Sequence, residues 1–151
     1  MNLQEELKAL KDRIVELEEL AKDEREFPKY GDTYWCINAY GGVSKEIWDG
    51  YDIEKDMLEI GNGFRTEQEA EFAVEKLKVE AELRKFSRPF EPTADNFFMV
   101  YDKYLESLEN NCSLKTDIQG VIYFGSREEL RKAAQSVGVD RIKKYIFGVE
   151  N

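Results

Sequence analysis

Gly61-Asn62-Gly63-Phe64-Arg65-Thr66-Glu67-Gln68-Glu69-Ala70-Glu71-Phe72-Ala73-Val74-Glu75-Lys76-Leu77 is the stretch on which the fold turns, because it joins a short apolar run ending at Phe64 to a helix start. The Thr66-x-x-Glu69 spacing is a capping box: the threonine oxygen accepts from the backbone N–H of Glu69, and the Glu69 carboxylate accepts from the N–H of Thr66. A helix is therefore predicted from Thr66 to about Phe86, with Glu67, Glu69 and Glu71 at the positive end of its dipole. Ala70, Ala73, Val74, Leu77 and Ala81 make a narrow apolar face that Phe72, Val79, Leu83 and Phe86 are expected to widen. Glu80 and Arg84 add a favourable i,i+4 pair.

The same logic returns sixty residues later in Val121-Ile122-Tyr123-Phe124-Gly125-Ser126-Arg127-Glu128-Glu129. Phe64 falls on Phe124, Thr66 on Ser126, Glu69 on Glu129, Ala73 on Ala133 and Leu77 on Val137. A tandem duplication of one supersecondary unit explains this. So does the shared physics of any strand-to-helix turn, where cap and apolar-face positions are constrained, and both readings stay open.

Upstream, Thr33 to Tyr40 is rich in aromatic and branched residues, Gly41-Gly42 supplies the positive φ angles of a hairpin, and Val43 to Trp48 returns. Asp49-Gly50 is a turn. Asp52, Glu54, Asp56 and Glu59 alternate with Ile53, Met57, Leu58 and Ile60 toward an expected third strand. Before them, Leu3, Leu7, Leu10, Ile14, Leu17 and Ala21 recur at alternating steps of four and three, a seam of period 3.5 over about three heptads. In a parallel pair, Glu6 would meet Lys11 and Arg13 would meet Glu18 of the other chain, so a homodimer through this helix is expected. An amphipathic helix packing on its own chain is the alternative, and Leu20, which widens the stripe, keeps it open. Pro28 ends the helix.

Downstream, Pro89 and Pro92 form a stiff connector. Asn96 to Tyr101 reads as a buried strand, Glu109-Asn110-Asn111 as a turn, and Cys112 to Ile118 with Val121 to Phe124 as the continuing sheet. The helix from Ser126 ends near Gly138, and Asp140 caps a last helix. The expected class is α+β: two tandem antiparallel β-meander-plus-helix units with an N-terminal coiled-coil-like helix. The expected boundaries are a helical arm at 1–28, a first unit at 29–88, the connector at 89–95 and a second unit at 96–151.

The 151 residues are 42% hydrophobic, enough for a real core, and include 22 basic and 32 acidic side chains for a net charge of −10. No apolar run approaches the length of a membrane span, and the N-terminus lacks the apolar region of a signal peptide, so a cytoplasmic protein without membrane contact is expected. Histidine is absent. That removes the commonest general base and transition-metal ligand, and no enzyme chemistry is expected. Cys36 and Cys112 read as reduced core thiols.

Asp52-x-Glu54-x-Asp56 has the alternating carboxylates of a calcium loop, but Met57 replaces the turn glycine and no acid follows at the twelfth position. Gly61-Asn62-Gly63 lacks the spacing and lysine of a phosphate loop. No metal or cofactor is expected. Tyr34, Trp35, Tyr40, Trp48 and Tyr51 could stack on single-stranded nucleic acid, but their neighbours are acidic and core packing is expected instead. Arg127, Arg131, Lys132, Arg141, Lys143 and Lys144 gather base near the C-terminus, whereas residues 29 to 92 hold nine basic against fourteen acidic side chains.

The Trp35 and Trp48 strand pair, the run from Gly61 to Phe72 with Leu77-Lys78, the Ile122-Tyr123-Phe124 triplet and the closing run from Asp140 to Glu150 resemble a group of small, mostly uncharacterised proteins of temperate phages and prophages of Gram-positive bacteria. The resemblance implies a phage accessory protein acting in the host cytoplasm, as an inhibitor of host defence or a regulator of phage replication. Its motifs are fold signatures and carry no catalytic residue. Together with the charge, centred on Glu46, Asp49, Asp52, Glu54, Asp56 and Glu59, it leads to the expectation of an acidic, non-enzymatic inhibitor. Such a protein would engage the basic surface of a host nucleic-acid-binding defence complex, in the manner of an anti-CRISPR protein. Acidity that only maintains solubility is the plainer explanation. The rival function is a nucleic-acid-binding replication accessory that uses the basic C-terminal helix.

Overall fold

A computed structural model describes residues 2 to 150, apart from the side chain of Arg25. The class is α+β, with five helices and two two-stranded antiparallel sheets among the described residues. By internal packing the chain divides into Met1–Ala70 and Glu71–Asn151.

In the first unit, α1 (Leu3–Arg25) starts at a capping box of its own: Asn2 Oδ1 accepts from the N–H of Glu5, and the Glu5 carboxylate accepts from the N–H of Asn2. β1 (Thr33–Ile37) and β2 (Val43–Ile47) form the expected hairpin, in register from Thr33 opposite Ile47 to Ile37 opposite Val43. Asn38 organises the turn, its Oδ1 accepting from the N–H groups of Tyr40 and Gly42, while Gly41 takes φ +77°.

The third strand expected to lead up to Phe64 does not form. Asp52–Glu59 is a helix, α2, because Glu54, Met57 and Leu58 recur at i, i+3 and i+4 and turn one face inward. Gly61, at φ +80°, terminates it: its N–H donates to the Leu58 carbonyl and the N–H of Asn62 donates to that of Met57, a Schellman pair. The third member of the sheet is Phe64 alone. Its N–H and C=O each bond Trp35 at 2.8 Å on the side of β1 away from β2. Tyr34, Cys36 and Trp48 form the core, backed by Phe27, Met57 and Leu58, with the Tyr34 and Trp48 rings edge-on at 5.7 Å.

α3 (Glu67–Arg84) begins as expected. Thr66 Oγ1 accepts from the N–H of Glu69 at 3.2 Å, and the Glu69 carboxylate accepts from the N–H groups of Arg65 and Thr66. Its apolar residues are not one widened face, however. At about 100° per residue, Val79 and Leu83 lie opposite Ala70, Val74 and Leu77. Ala70, Val74, Val79 and Leu83 are buried, whereas Leu77 and Ala81 are exposed. Val79 and Leu83 belong to the core of the second unit.

In that unit, β3 (Asn96–Asp102) pairs with β4 (Ser107–Ser113), Asn96 opposite Ser113 and Asp102 opposite Ser107. The expected turn at Glu109-Asn110-Asn111 is therefore inside a strand. The chain reverses at 103–106 instead, where Asp102 Oδ1 accepts from the N–H groups of Tyr104 and Leu105 and Glu106 adopts φ +51°. Residues 114 to 120 form no strand, and the 121–124 run adds only bridges: Tyr123 to Arg88 and Phe124 to Phe97. The 89–95 segment is knitted to the sheet by the fully buried Asn96. The Asn96 amide donates to the carbonyls of Glu91, Ala94 and Ser113, and its oxygen accepts from the N–H of Glu91 and from Arg88 Nη1.

α4 (Arg127–Val137) is capped by Ser126, whose Oγ accepts from the N–H of Glu129, while the Glu129 carboxylate accepts from that of Gly125. Asp140 does not cap the last helix. Gly138, at φ +100°, lets α5 (Val139–Tyr145) start at once, and Asp140 sits in its first turn. Phe124, Leu130, Ala133, Val137 and Ile142 complete the core. Phe64 and Phe124 each bridge the free side of a hairpin two residues before a helix cap, in the order β2–β1–Phe64 and β4–β3–Phe124.

Candidate protein-binding surface

Folding residues 52 to 59 as a helix rearranges the acidic cluster. Asp52, Asp56 and Glu59 recur at i, i+4 and i+7 and share one exposed face of α2, opposite Met57 and Leu58. Ile53 and Ile60 flank that stripe, 70% and 81% exposed, and Tyr51 stands at the helix entrance, 64% exposed. Acidic side chains bordered by exposed branched and aromatic ones make a surface with both charge and apolar area to offer a partner. The Lys55 ammonium is 3.9 Å from Asp52, and both side chains are solvated, so the pair leaves the stripe's charge largely intact.

Glu46 on β2 and Asp49 in the following turn are exposed as expected. Glu54 is not. It is 8% exposed, and both its carboxylate oxygens accept from the N–H of Asp49 at 3.2 Å. Its place is structural, fastening the 49–51 turn to α2. Burial pushes the nearby Tyr34 hydroxyl up to about 12, with the Glu54 charge adding to the effect. Burial also raises the Cys36 thiol, helped by Glu46. Among the described residues no group of three or more His, Cys, Asp or Glu side chains could hold a metal ion.

The aromatic set divides. Tyr34 and Trp48 are core and Trp35 is half-buried, but Tyr40, in the hairpin turn, and Tyr51, at the N-cap of α2, are exposed. Cys36 is a buried thiol, whereas Cys112 is exposed on β4, contrary to the expectation of a core position.

On α1 every described side chain from Leu3 to Glu24 is exposed. The seam residues Leu3, Leu7, Leu10, Ile14 and Leu17 stand at 82%, 53%, 62%, 54% and 48% exposure, with Ala21 exposed in the last heptad, so the seam is not packed in cis. The helix is fastened near its C-terminal end. Arg65 Nη2 donates to the Glu24 carbonyl at 2.6 Å, the Arg65 guanidinium lies 4.4 Å from the Phe27 ring centre, and Lys29 pairs with Asp23. Nothing in the spacing around Arg65 points to a partner forty-one residues away.

The basic C-terminal residues do not form one free patch. Arg141 donates to both carboxylate oxygens of Glu82 at 3.1 and 3.2 Å, which holds the Glu82 carboxyl below its usual range and raises the arginine. Lys132 pairs with Glu128, and Lys143 Nζ donates to the Glu106 carbonyl. Asn62, in the expected turn, bonds both main-chain groups of Ile37 through its side chain, which leaves Gly61-Asn62-Gly63 with a sheet-closing task. The second unit also contains an apolar cavity of about 140 Å³ lined by Leu83, Met99, Phe124, Ile142, Ile146 and Phe147, with Glu80 and Arg84 at its edge.

No family model matches the chain. No curated protein and no solved structure matches it either. Among the described residues no helix is long and apolar enough to cross a membrane.

Proposed function

We propose that this chain is a non-enzymatic binding module that presents the acidic face of α2 to a basic protein surface. The observation that carries the reading is the Asp52, Asp56 and Glu59 stripe bordered by exposed Ile53, Ile60 and Tyr51. Carboxylates steer encounter with a basic patch, and the apolar flanks supply contact area once docked. Glu46 and Asp49 extend the negative field; Glu54 serves the fold. The partner this implies is a nucleic-acid-binding protein, and the likeness to temperate-phage accessory proteins makes it a host defence complex blocked in the cytoplasm, in anti-CRISPR fashion.

The arm adds valency. The exposed leucines of α1 gain burial in a parallel coiled coil, which would carry two acidic faces per assembly. The matching strand order around Phe64 and Phe124 supports descent of both halves from one tandem unit. The competing role, direct nucleic-acid binding through the C-terminal helices, is disfavoured by the engagement of Arg141 with Glu82 and Lys132 with Glu128.

Mobility-shift titration with single- and double-stranded DNA and RNA tests the choice. No complex is expected; tight binding that weakens steeply with salt would transfer the function to the C-terminal bases. In affinity capture from host extract, Asp52→Lys with Asp56→Lys should lose the bound partner, while Lys143→Glu with Lys144→Glu should keep it.

A further inference from the structure

The outer edge of β4 is open from Ser107 to Asn111, beyond which the Cys112 N–H donates to Asn111 Oδ1 at 2.8 Å. β4 pairs with β3, and the other side of β3 carries the Phe124 bridge, so every second residue of β4 turns its N–H and C=O away from the sheet. Among the described residues no strand or bridge covers that edge. Such a row is a template for another strand, and β4 lacks both the proline and the lysine that commonly protect an edge.

Beside the edge runs an open groove of about 390 Å³. It is lined by Ser107 to Asn110 of β4, by residues of α4 and by Val139 and Lys143 of α5. Leu108, Leu130, Ala134 and Val139 contribute apolar surface, with Leu130 buried and Val139 41% exposed. Arg131 and Lys143 line it as bases and Glu109 as its one acid. The Glu109 carboxylate accepts from Ser107 Oγ at 2.7 Å, which draws it along its own strand. Lys143 is held beside the strand by the Glu106 carbonyl at 3.2 Å, and an ammonium has two further hydrogens to donate. The four strand residues that line the groove span roughly 13 Å, enough for a strand of about four residues.

We propose that this edge and groove form a second binding site, distinct from the α2 face, that takes an extended acidic peptide as an added strand. Main-chain bonds to β4 supply affinity, alternate apolar side chains enter the groove toward Leu108 and Ala134, and a carboxylate meets Arg131 and Lys143. An open edge, a helix-walled apolar groove and a basic lining select the same occupant: a strand-forming partner segment that alternates branched apolar and acidic residues.

The test uses the full chain, isotope-labelled, and three end-blocked synthetic hexapeptides: alternating valine and glutamate, alternating valine and lysine, and the glutamate peptide N-methylated at alternate residues. Amide shifts on titration should concentrate in 107–113 and 130–143 with the valine–glutamate peptide. N-methylation should abolish them, because it removes main-chain donors without touching side chains. The lysine peptide should bind at least about tenfold more weakly, as should the glutamate peptide to Arg131→Glu with Lys143→Glu, whose fold is checked by circular dichroism. Shifts outside this region, an N-methylated peptide that binds equally well, or a lysine peptide of equal affinity would each overturn the proposal.

Discussion

The two long helices, α1 and α3, start alike and end up in opposite situations. Each opens with a capping box and carries a row of apolar side chains, over 23 residues in α1 and 18 in α3. On α3 the row divides between opposite faces, with Ala70 and Val74 buried on one and Val79 and Leu83 on the other. On α1 the row is one straight seam, and all its leucines are exposed among the described residues. Caps and spacing decide that a helix forms; they do not decide what covers it. A period of 3.5 kept over three heptads asks for another helix, whereas apolar positions set half a turn apart ask for packing on two sides.

The largest effect expected on stability comes from the buried face of α3. Leu83→Ala should cost about 2–5 kcal/mol in urea unfolding, because its side chain is 2% exposed within the core of the second unit. Leu77→Ala, six residues earlier and 52% exposed, should cost less than about 1 kcal/mol. Equal losses would break the contrast and restore a single continuous face. Next come the caps: Thr66→Ala and Ser126→Ala should each remove about 1 kcal/mol, with Gly in place of Ala restoring most of it. A negligible loss at either site would mean that the shared junction is not a working cap there.

The smallest effect sharpens the account of the first unit. Tyr34 is neutral in the fold and its hydroxyl is pushed up to about 12, so the stability linked to it is fully present below pH 10 and lost as pH rises toward 12. Spectroscopic titration of the phenols should show one lagging transition near pH 12. Tyr34→Phe should abolish the lag. A lag that persists belongs to another ring.

What could be read from sequence follows the reach of each signal. Thr66 and Glu69, Ser126 and Glu129, and the Gly41-Gly42 hairpin are local, and each appears where the spacing puts it. The 52–60 segment misled because Asp52, Glu54 and Asp56 alternate with period two, while the positions that pack, 54, 57 and 58, are helical. Gly61 was the available clue, since a glycine after such a run is a helix stop as readily as a turn. Glu54 could not be separated from its acidic neighbours by type; only its contact with the Asp49 N–H marks it as structural. Likewise Asn110 and Asn111 read as a turn because the real one is made by Asp102, whose side chain needs no glycine. The exposed Ile53 and Ile60 became visible only once α2 had a direction.

The contrast between α1 and α3 rests on what covers the α1 seam, and sedimentation equilibrium of the full chain at micromolar concentration measures it directly. The account predicts twice the chain mass of 17.7 kDa, falling to that mass for Leu10→Asp with Leu17→Asp while the remaining helices and hairpins keep their circular dichroism. A wild-type chain that sediments at 17.7 kDa, with Leu10 and Leu17 still exposed to solvent, would contradict it.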